Sequence, residues 1–487
     1  MSIDAGTTGI TTMLVDHSGS ISKKAYREFP QHFPQPGWVE HYPAEMWDAV
    51  LSATGEILEG IAGSAVAAIG ITNQRETAVL WERSTGKEVF PAIVWQCRRS
   101  APICDELRAS GLEPRARELT GLVLDAYFSA TKLTWLFREI DGLRARATAG
   151  ELAFGTIDSW LISQMTGGAV HATDYSNASR TLLFDIHKRS WSSELLESFE
   201  VPPEVLPTVL PSSHRFGTTN PKMFHGLEVP IAGVAGDQQS ALFGQACFSP
   251  GMSKNTYGTG SFVLTNTGAS SPVSSHGLLT SIAWGIEDKV DYALEGSIFA
   301  TGAAVQWLRD GLGLIEAAGE TGPLAESIDS TDGVYLVPAF VGLGAPHWDP
   351  YARGILTGIT RGTTKAHVAR AALEAMAYQT RDVVEAMTSD SGVEIEELRV
   401  DGGASANDFL CQFQSDLLQT VVSRPKIQET TAMGAAYMAG ISTGFWSGTD
   451  EVAGHWKLER AFEPRMDQAL REELYAGWKV AVGRARS

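Results

Sequence analysis

Residues 229–244 have the sequence VPIAGVAGDQQSALFG, and this stretch decides the fold of the 487-residue chain. Its first half, rich in Val, Ile and small residues, predicts a buried strand. The break at Gly236, followed by Gln, Ser, Ala and Leu, predicts the start of a helix. Asp237 therefore falls at a strand-to-helix corner, the place in open α/β sheets where ligands bind. An N-cap that satisfies a free backbone N–H of the first helical turn is the competing interpretation of Asp237.

The composition favours an α/β protein with two or three domains. Hydrophobic residues make up 44% of the chain, so a protein of this length can bury substantial cores. Many of the 49 glycines lie in short segments between strand and helix signals, which favours sites built from backbone groups. The net charge of -19 argues against a nucleic-acid-binding surface, because such surfaces depend on Lys and Arg. A nucleotide is compatible with this charge, since backbone N–H groups and a metal ion can hold its phosphates.

The sequence also predicts a cytoplasmic protein that does not insert into a membrane. Its four cysteines form neither a C-x-x-C pair nor a dense pattern, so buried, reduced thiols are expected. The first residues contain no charged-then-apolar leader, and no uninterrupted apolar stretch approaches the roughly 20 residues that span a bilayer.

The first sixteen residues, MSIDAGTTGITTMLVD, predict a hairpin of two strands joined by a glycine turn. The turn offers backbone N–H groups and the hydroxyls of Thr7 and Thr8 to phosphate oxygens, and Asp4 is placed to bind a metal through water. An ordinary hairpin turn explains the same residues, because Gly and Thr also suit turns and strands. Since strands usually have about five or six residues, the short segment before Asp4 leads us to expect that the natural chain begins upstream.

A second glycine-threonine hairpin follows Gly251. Strand-like segments flank Tyr257-Gly258-Thr259-Gly260, and this arrangement repeats that of the N-terminal turn. Each hairpin is followed by further strands and then helices. We therefore predict two related domains, residues 1–246 and 247–487, that present their phosphate loops to one another.

Two further polar segments are candidates for binding. Residues 73–77, NQRET, lie between two apolar strand-like segments, so the Arg75-Glu76 pair is either a binding feature or a solvated ion pair. Residues 401–403, DGG, end a predicted strand, where glycines allow a ligand to approach the backbone closely. A helix entry capped by Ser405 or Asn407 is the alternative interpretation.

Helix signals surround these segments. Apolar residues at helical spacing predict a helix from Pro43 to Ala62, and others are expected from about Gly302 to Gly311 and from Lys365 to Met387. Ser129 is predicted to cap a helix, and Tyr127 just before it is by itself more typical of packing than of a binding site.

Taken together, five motifs resemble those of the FGGY carbohydrate kinases, and they lie at residues 4–8, 73–76, 235–239, 257–260 and 401–403. Four longer segments are similar to the glycerol kinases within that family, namely residues 36–41 (PGWVEH), 71–77 (ITNQRET), 93–99 (IVWQCRR) and 344–350 (GAPHWDP). The resemblance covers nearly the whole chain. Its motifs are specific because they are long, ordered and spread over both halves.

The resemblance implies a two-domain α/β fold similar to actin, hexokinase and the Hsp70 ATPase, with nucleotide and substrate in the cleft between the domains. It implies ATP-dependent phosphorylation of glycerol to sn-glycerol 3-phosphate in glycerol catabolism. Asp237 would be the general base that accepts the hydroxyl proton during attack on the γ-phosphate. This role is compatible with phosphoryl transfer, which depends mainly on positioning and charge neutralisation.

The same resemblance assigns the other site residues. Those that match glycerol-binding positions are Arg75, Glu76, Tyr127, Asp237 and Gln238, and those that match the wall along the carbon backbone are Trp95 and Phe262. Those that match nucleotide-binding positions are Thr7, Thr8, Gly9, Thr11, Thr259, Gly302, Gln306, Gly403 and Asn407. Asp4 and Asp237 would hold Mg²⁺, partly through water and ATP.

Three departures narrow what the resemblance implies. Thr11 stands where glycerol kinases commonly have Arg, so one expected phosphate contact is in doubt. Residues 220–228 lack the glycine-rich loop with Arg that binds fructose bisphosphate in the enterobacterial enzymes, so that inhibition is not expected. His225 lies near a histidine that is phosphorylated in low-GC Gram-positive relatives, but a plain surface histidine is the better interpretation.

Two other functions stay open at this point. One is a kinase for another polyol or sugar, such as xylulose or erythritol, although the Arg75-Glu76 pair and Trp95 favour glycerol. The other is an ATP-hydrolysing switch of the actin or Hsp70 kind, against which the polar residues around Asp237 argue. The family also leads us to expect a homodimer or homotetramer.

Overall fold

The computed structural model describes residues 1–349 and 351–486, and its centre is a mixed sheet of 13 strands. Pro350, the last residue of the family-like segment 344–350, lies outside the described residues. The predicted α/β class is confirmed. All four cysteines are buried, as their spacing led us to expect.

Six strands of the central sheet belong to the N-terminal half, and they are β1 (Ser2–Ala5), β2 (Gly9–Val15), β3 (Ile21–Glu28), β4 (Ile69–Asn73), β5 (Ser213–Thr218) and β6 (Pro230–Gly236). Their spatial order is β3-β2-β1-β4-β6-β5, in which β1, β4 and β6 are parallel. Ala5 lies opposite Asn73, and Asn73 lies opposite Gly236. The first glycine turn, the Arg75 segment and Asp237 therefore leave the sheet side by side, at the carboxyl ends of parallel strands.

The C-terminal half contributes seven strands, which are β7 (Ser253–Tyr257), β8 (Ser261–Gly268), β9 (Leu279–Ile286), β10 (Lys289–Ile298), β11 (Glu397–Asp401), β12 (Val421–Pro425) and β13 (Leu458–Phe462). Their order is β9-β10-β8-β7-β11-β12-β13, with β7, β11 and β12 parallel. Without the added strand β9, this order repeats that of the N-terminal half. Strands β5 and β9 pair at Ser213 and Ile286, and this contact joins the two halves into one sheet.

Ten shorter strands form five separate pairs, and their bounds are Glu40–His41, Val79–Glu82, Ala92–Ile93, Leu152–Gly155, Ala172–Asp174, Phe184–Asp185, Ser190–Trp191, Thr208–Leu210, Tyr335–Val337 and Ile355–Thr357.

The helices that bear on the site are α1 (Pro43–Leu58), α2 (Ser129–Glu139), α3 (Asp237–Gly244), α4 (Gly302–Gln306), α5 (Lys365–Ser391), α6 (Asp408–Leu418), α7 (Thr430–Ser442) and α8 (Gln468–Ala485). The remaining helices are Ala101–Ala109, Glu113–Thr120, Leu143–Thr148, Ile157–Met165, Tyr175–Ala178, Ser193–Ser198, Thr321–Glu326 and Thr449–His455. Short 3-10 turns lie at Gly63–Ala65, Pro203–Val205, Ala318–Glu320 and Gly403–Ala406. Within residues 1–349 and 351–486, none of the helices has the length and apolar character needed to cross a membrane.

The strand and helix predicted for residues 229–244 are confirmed as β6 and α3. Other predictions need correction at their ends. Helix α1 stops at Leu58 instead of Ala62, because Gly60 takes a left-handed conformation with φ of 76°. Helix α4 ends at Gln306 and continues as a π-helical turn, Trp307–Gly311.

The predicted N-cap at Ser129 is wrong. Phe128 occupies the cap position of α2, and Ser129 is the first residue inside the helix. Its hydroxyl instead donates a hydrogen bond to the backbone carbonyl of Glu76 at 3.0 Å. The serine therefore ties α2 to the segment that carries Arg75 and Glu76.

His225 agrees with the interpretation as a surface histidine. It is exposed, in a turn between β5 and β6, and its Nε2 lies 2.9 Å from the carbonyl oxygen of Leu51 in α1.

Helix α3 is fixed by close contact with α7. A Cβ atom at Gly434 would lie 1.9 Å from the carbonyl oxygen of Ser240, and one at Gly244 would lie 1.9 Å from that of Thr430. Only glycine allows the two backbones to approach this closely. Every residue of α3 except Asp237 is buried, so the helix holds this one carboxylate rigidly at its accessible end.

Candidate active site

Asp237 is the first residue of α3, and its side chain is 28% exposed. The cap position belongs to Gly236, and no side-chain capping bond is present, so the N-cap interpretation of Asp237 is wrong. One carboxylate oxygen, Oδ1, accepts the Gln238 backbone N–H at 2.7 Å and lies 3.0 Å from Nε of Arg75. The carboxylate is therefore held in place while part of it stays open to a ligand.

Arg75 belongs to a buried cluster of two arginines and two glutamates. Its Nη1 lies 2.5 Å from Oε2 of Glu295, and its Nη2 donates to Oε1 of the same carboxylate at 3.1 Å. Arg180 donates through Nε to Glu76 at 2.6 Å and through Nη2 to Glu295 at 3.1 Å. All four side chains are at most 2% exposed. Burial of charge is costly unless every charge is paired, and here the charges alternate in sign.

The cluster sets the ionisation of its two glutamates differently. Burial alone would raise the pKa of Glu295, but the charges of Arg180 and Arg75 outweigh it and lower that pKa to about 2. Burial raises the pKa of Glu76 despite the opposing charges of Arg180 and Arg75. Glu295 is thus ionised throughout the usual pH range. The carboxylate of Glu76 accepts a hydrogen bond from Arg180 but is more easily protonated than a free glutamate.

Aromatic rings line this polar cluster. The rings of Trp95 and Tyr127 meet edge to face with centroids 5.6 Å apart. The guanidinium of Arg75 lies 5.7 Å from the ring centroid of Phe262 and donates to the Tyr127 hydroxyl at 3.4 Å. Trp95, Tyr127 and Phe262 are each partly exposed. The arrangement combines donors and acceptors for hydroxyl groups with an apolar wall for C–H groups, which is the composition of a small-molecule site.

Gln238 is held by a lysine from the other half of the chain. Lys254, in β7, is fully buried and donates through Nζ to Oε1 of Gln238 and to the Thr256 hydroxyl, the latter at 2.9 Å. Burial lowers the pKa of Lys254 to about 8, although the charges of Asp401 and Asp237 oppose this. A lysine with such a pKa gains or loses its charge in the range in which enzymes are assayed.

Side-chain amides donate hydrogen bonds to the carbonyl groups of the first glycine turn. Gln31 donates to the carbonyl of Thr7 at 2.9 Å, and Gln74 donates to the carbonyl of Gly6 at 3.1 Å. Trp95 donates from its indole nitrogen to the Thr7 hydroxyl at 3.0 Å, and Thr8 is exposed. With its carbonyls engaged on the protein side, the turn has the form of an anion-binding loop.

The residues after this turn lie in strand β2. Gly9 is its first residue, and Thr11 lies directly opposite Asp4 of β1. The side chain at position 11 therefore neighbours the predicted phosphate loop and metal ligand, where the family's usual Arg would stand.

The second glycine turn packs on the start of α4. The backbone N–H groups of Gly302 and Ala303 donate to the carbonyls of Gly258 and Thr259, at 3.1 and 3.0 Å. A Cβ at Gly302 would lie 2.5 Å from the Gly258 oxygen, so glycine is required there. The structure thus brings Thr259 and Gly302 together, and Gln306 is exposed at the end of α4.

The third glycine segment follows β11. Gly402 has φ of 83°, and a Cβ there would lie 2.3 Å from the carbonyl oxygen of Tyr257, next to the second glycine turn. Gly403 is exposed. Asn407 caps α6, accepting the Leu410 N–H at 3.2 Å, which confirms the capping interpretation of this residue. The cap does not exclude a nucleotide contact, which stays a prediction.

Asp4 and Asp237 have the donor chemistry that Mg²⁺ prefers. Burial, then the negative charges of Asp237 and Glu429, raises the pKa of the Asp4 carboxyl to about 8, so a cation at this place would relieve the crowding of carboxylates. Within the described part of the chain, no group of three or more His, Cys, Asp or Glu side chains could hold a metal alone. Mg²⁺ is commonly held by one or two carboxylates together with substrate phosphates, and the residues present fit that mode.

Sequence reasoning missed three residues of this region: Glu295, Arg180 and Lys254. Glu295 and Lys254 carry a charge inside segments that are otherwise strand-like, and an ionisable residue within a buried strand was the available signal. Arg180 follows a four-residue helix, Tyr175–Ala178, and no local pattern marked it.

Two family models match the chain. The model of the N-terminal domain of the FGGY family of carbohydrate kinases matches residues 1–244, and that of the C-terminal domain matches residues 253–443. The chain is 56% identical to a glycerol kinase of Caldanaerobacter subterraneus subsp. tengcongensis and 57% identical to glycerol kinase 2 of Thermotoga maritima. Each alignment covers 100% of this chain and 98% of the relative.

A solved structure agrees with these matches. The crystal structure of Plasmodium falciparum glycerol kinase with ADP is similar to this fold with a TM-score of 0.94 and 36% sequence identity. The similarity covers 99% of this chain and 97% of the other. By its two family models and its full-length relatives, this chain belongs to the FGGY family of carbohydrate kinases.

Proposed function

We propose that this protein transfers the γ-phosphoryl group of ATP to a hydroxyl of glycerol and forms sn-glycerol 3-phosphate and ADP. The observation that carries the proposal is the buried Arg75-Glu76 pair beside an accessible Asp237, with the aromatic wall of Trp95, Tyr127 and Phe262 next to it. The names of the full-length relatives, glycerol kinases at 56–57% identity, support the same acceptor.

In the proposed reaction, the acceptor hydroxyl lies against Asp237. As its oxygen forms a bond to the γ-phosphorus, its proton passes to the Asp237 carboxylate, and the bond from the γ-phosphorus to the bridging β–γ oxygen breaks. Arg75 and Glu76 orient the glycerol hydroxyls as donor and acceptor, and Gln238 adds a further polar contact. Such positioning is the main contribution that a protein makes to phosphoryl transfer.

The glycine segments would bind the nucleotide. The first turn, with Thr7, Thr8 and Gly9, and the second, with Thr259, would hold phosphates through backbone N–H groups and hydroxyls. The remaining predicted contacts, Gly302, Gln306, Gly403 and Asn407, would lie along the adenosine. When bound to Asp4 and Asp237, Mg²⁺ would supply neutralisation of the phosphate charges.

An assay of ADP release tests the proposal. Rates are measured with ATP and Mg²⁺ without an acceptor, with glycerol, and with a panel of pentitols and ketoses. Glycerol-dependent turnover supports the proposal. Turnover with another acceptor would replace glycerol by that polyol or sugar, and acceptor-independent hydrolysis would favour an ATPase switch.

Three further expectations remain predictions beside this one. They are the domain boundary at residues 246 and 247, a cytoplasmic location, and assembly as a homodimer or homotetramer.

A further inference from the structure

Glu295 was not among the site residues predicted from the sequence, yet its buried carboxylate is paired with two arginines of the site. It lies in β10 of the C-terminal half, and its side chain has no exposed surface. Its partners, Arg75 and Arg180, belong to the N-terminal half and lie 220 and 115 residues away in sequence. One carboxylate therefore connects two arginines across the two halves of the chain.

Glu295 determines where the guanidinium of Arg75 points. Two of the nitrogens of Arg75, Nη1 and Nη2, face the two oxygens of Glu295 in a bidentate contact. This leaves Nε directed at Asp237, at 3.0 Å, and Nη2 within 3.4 Å of the Tyr127 hydroxyl. Because a guanidinium is planar and rigid, fixing one edge with a carboxylate fixes the direction of the others.

The same carboxylate also acts on Glu76 through Arg180. Arg180 bridges Oε1 of Glu295 and Oε1 of Glu76, so Glu295 is linked to both residues of the proposed acceptor pair. Its negative charge also balances one of the two arginines. Without it, Arg75 would keep Asp237 and Glu76 as its acidic partners, and its charge would be drawn towards the proposed base.

We propose that Glu295 is a positioning residue for the acceptor: from the C-terminal half, it holds Arg75 and, through Arg180, Glu76 in the geometry that binds the polyol. The proposal rests on the proposed function and deepens it. The acceptor site is then complete only when β10 contributes its carboxylate. Glu295 itself need not touch the polyol.

The test compares Glu295→Gln with Glu295→Asp. The glutamine keeps the size of the side chain but loses the charge and turns an N–H group towards an arginine. From the cost of breaking a buried charge pair, we expect the KM for glycerol to rise about 30-fold in Glu295→Gln. The KM for MgATP is expected to stay within about threefold of wild type, since the nucleotide residues lie on other segments. Glu295→Asp keeps the charge and should recover most of the loss.

Glu374→Gln is the matched control. Glu374 is also a buried carboxylate of the C-terminal half and is paired with an arginine, Arg370, at 2.8 Å within α5. A purely structural role would lower the melting temperature in both variants and leave the KM for glycerol unchanged. We expect a rise in that KM in Glu295→Gln alone.

The outcomes separate the inference from the proposed function. Wild type without acceptor-dependent turnover overturns both. If the wild type turns over glycerol and Glu295→Gln has an unchanged KM for glycerol, the inference alone is overturned. If wild type uses another polyol, the same ratio is measured with that acceptor. If Glu295→Gln does not fold, Arg180→Lys takes its place, because lysine keeps the charge but cannot hold Glu76 and Glu295 through two separate nitrogens. An unchanged KM for the acceptor in that variant overturns the inference.

Discussion

The proposed acceptor side and the proposed nucleotide side of the site differ in how they are built. On the acceptor side, Arg75, Glu76, Arg180 and Glu295 are buried and paired with one another. On the nucleotide side, Thr8, Thr259, Gln306 and Gly403 are exposed, and the shape comes from glycine turns.

This difference indicates which interactions fix the geometry of each side. The acceptor side is fixed by charges on side chains that come from distant parts of the chain, so it discriminates by chemistry and is sensitive to loss of a single charge. The nucleotide side is fixed by backbone conformation after strands β1, β7 and β11, so it is sensitive to added atoms. Substitutions on the two sides should therefore change different kinetic constants.

The largest effect is expected for Asp237→Asn, because Asp237 is the proposed general base. The amide cannot accept the hydroxyl proton, so kcat should fall about 10³-fold, in the range that general-base catalysis contributes. ADP release measured at saturating glycerol and MgATP checks this. Equilibrium binding of glycerol should change far less than kcat, since the amide keeps the size of the carboxylate.

A variant that keeps more than a tenth of wild-type kcat would contradict the role of Asp237 as base. The melting temperature of the variant is the control for folding. Residual hydrolysis without acceptor has to be subtracted, because it does not depend on the base that activates glycerol.

A smaller effect is expected on the nucleotide side for Gly402→Ala. The added Cβ would meet the carbonyl oxygen of Tyr257 at 2.3 Å, at a φ of 83°, so the backbone next to Gly403 has to shift. We expect the KM for MgATP to rise about tenfold from this displacement, with little change in the KM for glycerol.

Gly392→Ala is the matched control for backbone strain. Gly392 ends α5 with φ of 67°, and a Cβ there would meet nothing within 4 Å. This variant should lose about 1 kcal/mol of stability through its left-handed backbone and keep both KM values. An equal rise in the KM for glycerol in Gly402→Ala would contradict the separation of the two sides.

The same difference explains what the sequence made predictable. The strand-to-helix corner at Asp237 and the glycine turn at residues 257–260 have local signals, because apolar runs and glycines act over a few residues. Glu295 has only one local signal, a charge inside a strand-like segment, and this signal does not identify its partner Arg75, which is 220 residues away in sequence. The predicted cap at Ser129 failed for a related reason, because a tertiary hydrogen bond to Glu76 competes with the local capping preference.

The effect expected to be smallest near neutral pH is a pH dependence that tests the contact between the halves at Gln238. Below pH 8, Lys254 is protonated, donates to Gln238 and offsets the charge of Asp237. As pH rises through about 8, the lysine loses its proton and its charge. The value of kcat/KM for glycerol should therefore fall above that pH, by about tenfold at one pH unit beyond the pKa if the neutral form is inactive.

Two buried lysines, Lys254 and Lys132, have a pKa of about 8, and Lys254→Arg tests which of them causes the pH dependence. Arginine stays protonated, so the fall above pH 8 should disappear even if the activity at neutral pH is lower. Lys132 is the control: burial also lowers its pKa to about 8, but it donates to the carbonyls of Ala126, Tyr127 and Phe128, away from Gln238. Lys132→Arg should keep the fall. If instead Lys132→Arg removes the fall and Lys254→Arg keeps it, the pH dependence belongs to Lys132, which donates to the carbonyl of Tyr127 on the acceptor side. That result would contradict a role for Lys254 in linking the two halves.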